Sequence, residues 1–534
     1  MVNPTGPGIG RSDPYRRVLS RDVNAYLEIV LVLLHDRFRK GPEMTDDQSD
    51  VIRFLSAADT FALSERVERI DTHCSIVFLA GDHAYKLKRA VSYSYLDYST
   101  VELRRRACQR EFALNRRTAP NLYIGVWAIR RRADGELGFE DEGIAVDWVV
   151  IMARFDQQNL FDRMATAGRL TVSLMRHLAD EIIEFHLNAE IRQDYGGADA
   201  FENIIRGNGD ESDAALAKLA NLLDQRKAVG QVRQCHGDLH LRNICLLEGR
   251  PTLFDCIEFN DALACIDVLY DLAFLLMDLH HSGHDDLGSV VFNRYLDISK
   301  DTKGLPAFPL FLSLRAAIRA HVAASSARKQ NSASGAQSQV EQARAYLQLA
   351  RNFLRPATPM LIAIGGLSGS GKSSLANGIA KHFRPVPGGR VIRSDVLRKL
   401  LLGQTPEQQL PPSAYAKEKR QYVYRTMFRE AAETLEAGYT TILDATFLDP
   451  GDRRAVEGLP RPPNVTFIGL WLYAAPEILK QRLAARHGDA SDADLRVLAA
   501  QLSTDPGPVA WHPIDISRDS AACVEMIRRV LPEA

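Results

Sequence analysis

The stretch Met360-Leu361-Ile362-Ala363-Ile364 leads into Gly366-Leu367-Ser368-Gly369-Ser370-Gly371-Lys372-Ser373, and a helical segment from Ser374 to Phe383 follows. An apolar strand, a glycine-rich turn and a helix in that order, with GxxxxGKS spacing in the turn, specify a phosphate-binding loop. Glycines let backbone N–H groups converge on phosphate oxygens, and the helix N-terminus adds the positive end of its dipole. The candidate nucleotide contacts are therefore Gly366, Ser368, Gly369, Ser370, Gly371, Lys372, Ser373 and Ser374. Lys372 is expected to reach the β- and γ-phosphates and the Ser373 hydroxyl to ligate Mg²⁺.

Working outward, strand and helix patterns alternate from residue 360 onward, which predicts a parallel α/β sheet. Arg390-Val391-Ile392 runs into Arg393-Ser394-Asp395-Val396-Leu397-Arg398. Asp395 falls at the carboxyl end of a strand, where such sheets bind ligands. A carboxylate there can accept a hydroxyl proton, and Arg398 one turn later can hold an anion or the acceptor; an N-cap with an i+3 ion pair is the plainer alternative. Thr440-Thr441-Ile442-Leu443 ends in Asp444, a second candidate Mg²⁺ ligand. The helix expected over 476–487 carries Arg482 and Arg486 on one face, and arginines in a mobile lid neutralise charge on a transferring phosphoryl group. Residues 360–534 resemble the small P-loop kinases of the gluconate kinase and polynucleotide 5′-kinase type. That resemblance implies Asp395 as the base and leaves the acceptor open.

A second dense motif lies upstream, at Cys235-His236-Gly237-Asp238-Leu239-His240-Leu241-Arg242-Asn243. Its Asp238-to-Asn243 spacing is that of a kinase catalytic loop, H-R-D-x-x-x-x-N, in which the Asp meets the acceptor hydroxyl and the Asn holds Mg²⁺. A short hairpin then ends in Asp255, placed to be a second metal carboxylate. These residues resemble the aminoglycoside phosphotransferase and choline kinase group, over roughly residues 65–330. The resemblance implies a two-lobed kinase fold with ATP between the lobes, Asp238 as catalytic base, Asn243 and Asp255 as Mg²⁺ ligands, and His240 shaping the loop. A small-lobe lysine should contact the α/β-phosphates and pair with a helix glutamate. Lys86 and Lys88 point the same way from one strand; Lys86 is preferred, with Glu111 as partner. No GxGxxG loop precedes this strand, and Cys256-Ile257-Glu258-Phe259, not Phe-Gly, follows Asp255. Asp267 and Asp271 are expected to brace the catalytic loop. Asp278, Asp285 and Asp286, beside His280, His281 and His284, are candidate acids for a polycationic acceptor, with a solvated surface as the plainer reading.

The whole order resembles bacterial fusions described as aminoglycoside phosphotransferase/ATP-binding proteins. The expected fold is an α+β two-lobed kinase-like domain followed by an α/β P-loop kinase domain with a parallel sheet. Residues 1–43 read as a disordered or accessory extension, or an over-long start. Residues 44–330 form the first domain, 331–358 a helical linker, and 359–534 the P-loop domain. Thr45 and Gln48 are spaced as a capping box for the helix that opens the first domain.

Length and composition agree with this division. The chain has 534 residues, too many for one core. Hydrophobic residues make up 46% and charged residues 25%, which excludes a largely disordered protein. Lys and Arg number 66 against 67 Asp and Glu, a net charge of −1, which argues against a nucleic-acid partner. The seven cysteines include no CxxC pair, so they suggest reduced thiols in a cytoplasmic protein. No uninterrupted apolar span of the ~20 residues a membrane helix needs stands out. The expected activity is transfer of the ATP γ-phosphoryl group to hydroxyls of small molecules, with ATP and Mg²⁺ at two sites. The rivals are one active kinase with the other domain as a regulatory nucleotide sensor, a nucleic-acid 5′-hydroxyl kinase, and, ranked last, an antibiotic-resistance enzyme.

Overall fold

The computed structural model describes residues 43–517, apart from 45, 94, 141, 206–209, 329, 331 and 486–489, together with 523–525 and 527. Most of the extension expected over residues 1–43, Thr45 and Arg486 lie outside the described residues. Gln48 does not act as a capping-box partner. Its carboxamide turns inward, donating to Lys88 O (2.9 Å) and Asp147 (2.7 Å) and accepting from Ala90 N.

The first domain has two lobes, as expected. Helix α1 (Ser49–Ser56) covers an antiparallel sheet of β1 (Glu68–Asp71), β2 (Ser75–Ala80), β3 (His83–Lys88), β4 (Tyr123–Arg131), β5 (Leu137–Gly138) and β6 (Ile144–Ala153), in the order β1-β2-β3-β6-β4-β5. Alternation along β2 and β3 places Ile76, Phe78, Tyr85 and Leu87 in the small-lobe core. Helix α2 (Val101–Asn115) crosses this sheet; Thr100 caps it by accepting from Leu103 N. Its inner face is unusually polar, burying Arg104, Glu111 and Asn115.

The large lobe is helical, built from α3 (Val172–Asn188), α4 (Asp210–Ala228), α5 (Val268–His281), α6 (Asp285–Ser299), α7 (Phe308–Ala327) and α8 (Ala333–Phe353). The hairpin β7 (Ile244–Leu247) and β8 (Arg250–Leu253) lies between α4 and α5. One described stretch, Thr302–Ala327, is long and apolar enough to cross a membrane, but most of it is buried in this core against α5 and α8. The segment expected to be a linker is α8, and its Tyr346, Ala350 and Phe353 belong to the same core.

The P-loop domain is a five-stranded sheet, parallel throughout. Its strands are β9 (Met360–Gly366), β10 (Arg390–Arg393), β11 (Thr441–Asp444), β12 (Thr466–Tyr473) and β13 (His512–Asp515), in the order β10-β11-β9-β12-β13. Its helices include α9 (Lys372–Ala380), α10 (Ser394–Leu401), α11 (Lys417–Glu436), α12 (Pro476–Ala484) and α13 (Leu495–Leu502). Every residue of the central strand β9 is buried, as a sheet covered on both faces requires.

The edge strand β10 is closed by the first domain. Asn293 of α6 accepts from Val391 N (2.7 Å) and donates to Gly389 O (3.3 Å), so its carboxamide stands where a neighbouring strand would. Arg390 is 2% exposed and pairs with Asp297 at 2.6 Å. Around this centre Arg294 pairs with Glu407, Lys300 with Glu430, and Phe292 stacks on Tyr439. Asp297→Ala removes the carboxylate that neutralises the buried Arg390 guanidinium, leaving it only neutral oxygens of Asn293 and Val391. Because Asp297 keeps 18% exposure, the expected loss is about 3 kcal/mol, the lower end of the range for breaking a buried pair. Denaturant unfolding of the full chain measures it; an unchanged midpoint would show that the interface carries no stability.

Candidate active sites

In the first domain the candidate catalytic loop, residues 235–243, is held from below. Asp271, fully buried on α5, accepts from His236 N (3.1 Å), Gly237 N (2.9 Å) and the His186 ring (3.1 Å). Arg315 donates to Gly237 O (3.1 Å) from beneath, its guanidinium over the Tyr270 ring. Gly237 has φ +81°, and a Cβ there would stand 2.8 Å from Leu263 O, so only glycine fits. Asp278 accepts from Leu241 N and so supports the turn at Leu241–Asn243. Asp267 braces elsewhere: it caps α5 and pairs with Arg226 at 2.6 Å.

Asp238 accepts from Asn243 Nδ2 at 2.9 Å and lies 3.4 Å from His240 Nε2. His240 Nδ1 accepts from Arg242 N, which leaves Nε2 as the protonated nitrogen facing Asp238. Burial would raise the Asp238 pKa, but the His240 imidazole beside it, with Arg315 beyond, holds the carboxyl well below the usual range. The buried His236 Nε2 lies 2.9 Å from Phe254 O, and its Nδ1 accepts from Asp238 N. Burial lowers its pKa, consistent with a neutral ring.

Two backbone bonds, Phe254 N to Asn243 O and Ile257 N to His236 O, lace the Asp255 loop to the catalytic loop. Asp255 itself has φ +61°, a strained conformation for a non-glycine residue. It is held on both sides, by the Tyr123 hydroxyl at its own N–H (3.2 Å) and by Asn115 Oδ1 at Cys256 N (2.9 Å). Its carboxylate lies 2.5 Å from Lys86 Nζ, which also donates to Glu111 at 2.7 Å. Lys88 contacts Glu111 and Glu258 and is sealed from solvent, whereas the Lys86 side chain keeps 12% exposure beside Asp255. Burial works against Lys86, yet Asp255 and then Glu111 keep its pKa above the ordinary lysine value.

In the P-loop domain, Gly369 has φ +83° and a Cβ there would meet Leu479 O at 2.8 Å, so α12 packs against the loop backbone. Lys372 Nζ reaches across the turn to Leu367 O (2.9 Å). Ser373 Oγ donates to Asp444 at 2.6 Å, and Arg393 Nε lies 3.4 Å from the same carboxylate oxygen. Asp395 pairs with Arg398 at 2.9 Å, and the buried Arg398 guanidinium lies 4.6 Å over the Tyr415 ring. Asp492 accepts from Tyr415 OH (2.7 Å), Lys399 and Leu410 N, which pins Tyr415 over Arg398. Arg482 is not brought to this group by any described hydrogen bond or ion pair; it donates to Ile516 O at 2.8 Å. Ser374 is exposed on the first turn of α9.

The proposed acidic cluster for a polycation does not assemble. Asp278 serves the catalytic loop, His280 and Asp285 pair with each other, and His281 stacks on Tyr346 at 4.0 Å. Sequence reading missed Glu258, Tyr98, Tyr123, Asn115, Arg393, Tyr415 and Gln501, whose side chain accepts from Ser368 N at 2.8 Å. Only Glu258 had a local signal, an acid three residues beyond Asp255 in an otherwise apolar run.

Comparison with known proteins finds a match in each half of the chain. Residues 105–307 match the phosphotransferase enzyme family, and residues 361–506 match an AAA domain. Uncharacterized proteins of Mycobacterium tuberculosis and Mycobacterium bovis are 30% identical over 474 residues, spanning 83% of this chain and 91% of theirs. Among solved structures, a sugar kinase from Janibacter is 22% identical, covering 32% of this chain and 93% of its own, with TM-score 0.26. An ethanolamine kinase from Plasmodium vivax is 10% identical, covering 62% of this chain and 95% of its own, with TM-score 0.34. The chain therefore belongs to the family of these mycobacterial relatives, and it is a phosphotransferase that joins a phosphotransferase-family domain to a P-loop domain.

Proposed function

We propose that the protein carries two Mg²⁺-ATP-dependent centres that transfer the γ-phosphoryl group to hydroxyls of small molecules, a sugar, an amino sugar or a similar polyol. The observation that carries this reading is the Asp238 carboxylate, held ionised beside Asn243 on a loop laced to Asp255. In the first centre Asp238 accepts the proton of the acceptor hydroxyl as its oxygen attacks the γ-phosphorus. The bond from that phosphorus to the bridging oxygen breaks, and ADP leaves. Lys86 holds the nucleotide phosphates, and Glu111 orients it.

The donor sets suit a hard cation. Asn243 and Asp255 supply amide and carboxylate oxygens in the first centre, and Ser373 and Asp444, 2.6 Å apart, supply a hydroxyl and a carboxylate in the second. Mg²⁺ bound there neutralises charge on the phosphates. In the second centre Asp395 is the base, and Arg398 holds the acceptor or its anionic group.

Two-site transfer is tested by ADP release from the intact protein against a panel of sugars, amino sugars, polyols and nucleosides, with Asp238→Asn and Lys372→Ala alongside. Each variant is expected to abolish stimulation by a different acceptor, and EDTA to abolish both. Turnover that survives both substitutions together would overturn the assignment.

A second reading, in which one domain regulates the other, is favoured by α6. Its Asn293 and Asp297 hold β10, while its Tyr295 bonds His186, the partner of Asp271 beneath the catalytic loop. Under that reading Lys372→Ala changes turnover at the first centre and removes none of its own.

A further inference from the structure

The small lobe contains more buried charge than Lys86, Glu111 and Asp255 account for. Lys88, two residues along β3, is 2% exposed, and its ammonium lies against both Glu111 and Glu258. Glu258 is 4% exposed, three residues beyond Asp255, and also accepts from Tyr98 OH at 2.6 Å. The Tyr98 ring stands 5.3 Å from Lys88 Nζ. Two ammonium groups thus share three carboxylates, with Glu111, fully buried, between them.

This arrangement solves a problem that a single lysine would create. Lys86 is engaged by Glu111 and Asp255 at once, so meeting a phosphate means giving up contacts it makes here. Were Lys86 the sole counterion of Glu111, any movement would strand a fully buried carboxylate, and an unpaired buried charge is costly. Lys88 keeps Glu111 paired throughout. Its other partner, Glu258, ties down the chain just past Asp255, where the backbone is held in a strained conformation that needs support.

We propose that Lys88 and Glu258 are positioning residues, a second buried ion pair that keeps Glu111 neutralised and anchors the Asp255 loop, so that Lys86 can pass from Asp255 to a nucleotide phosphate. The proposal rests on reading the interlobe cleft as the Mg²⁺-ATP site. Lys88 then touches no nucleotide, although it lies on the same strand face as Lys86.

The test uses the full chain in a Lys372→Ala background, so that a fluorescent ADP analogue reports the first centre alone. Affinity is measured with and without Mg²⁺, beside the melting temperature without nucleotide. Lys88→Met is expected to weaken Mg²⁺-ADP binding by about tenfold or more and to reduce the gain in affinity that Mg²⁺ brings. Lys88→Arg should recover part of that loss. Lys88→Met with Glu258→Gln removes one charge of each sign; it should restore the melting temperature without restoring affinity. If this double variant binds Mg²⁺-ADP like the parent, the pair is merely structural and the proposal is overturned. Lys86→Met separates the two readings: unchanged binding there overturns the cleft as the nucleotide site, and the proposal with it.

Discussion

Asp238→Asn is expected to slow acceptor phosphorylation at the first centre by about 10²–10⁴-fold, the usual worth of a positioned general base. The substitution keeps the shape and one carbonyl oxygen. Asn243 Nδ2 can therefore still donate to it, and the backbone bonds from Asp271 and Arg315 do not involve its side chain. Folding and nucleotide affinity should persist while the proton acceptor is lost. Asp238 is held well below the usual carboxylate range, so the base is ionised at neutral pH. The acid limb of the parent's kcat/KM profile should consequently not belong to Asp238. Single-turnover ADP release in the Lys372→Ala background is the measurement; a loss of less than about fivefold would remove Asp238 from the role of base.

Lys372→Ala is the second large effect, expected to reduce turnover at the P-loop centre by roughly 10²–10³-fold, comparable to deleting one preorganised electrostatic contact to a developing charge. Lys372 is the first residue of α9, so its charge adds to the helix dipole at the point where the loop amides converge. In this structure its ammonium bridges the turn to Leu367 O, a contact with a neutral carbonyl that an anionic phosphate can readily replace. The effect is read as loss of turnover with the acceptor that Asp238→Asn leaves responsive. If Lys372→Ala changes only the rate at the first centre, the P-loop domain is a sensor and the communicating element is α6.

The two motifs were legible because each is short in sequence and its chemistry depends on local backbone. The phosphate loop is one strand, one turn and one helix; positions from Gly366 to Ser373 are related by spacing alone. The same holds for Asp238 and Asn243, five residues apart on a single loop. Pairing Lys86 with Glu111 was also within reach, since period-two alternation fixes which strand residues face one way. Choosing between Lys86 and Lys88 was not. Both lie on that face, and the difference arises from Asp255 and Glu258, which arrive from residues about 170 positions away.

Other failures of sequence reading have the same origin. Gln48 matched a capping pattern, but two backbone groups and a carboxylate of the small lobe offered its carboxamide a buried network instead. The segment expected to link the domains had helical composition, yet its burial depended on α7 lying alongside it. The amino-acid sequence by itself determined the two phosphate-handling motifs, their order, and the residue types that can hold Mg²⁺ and accept a proton, because those depend on neighbours within a turn or two. Tertiary structure alone decided which lysine is sealed from solvent, what holds the Asp238 carboxyl below its usual range, and how α6 joins the edge of one domain to the Asp238 loop of the other. Those depend on charges and hydrogen-bond partners that only folding brings into contact.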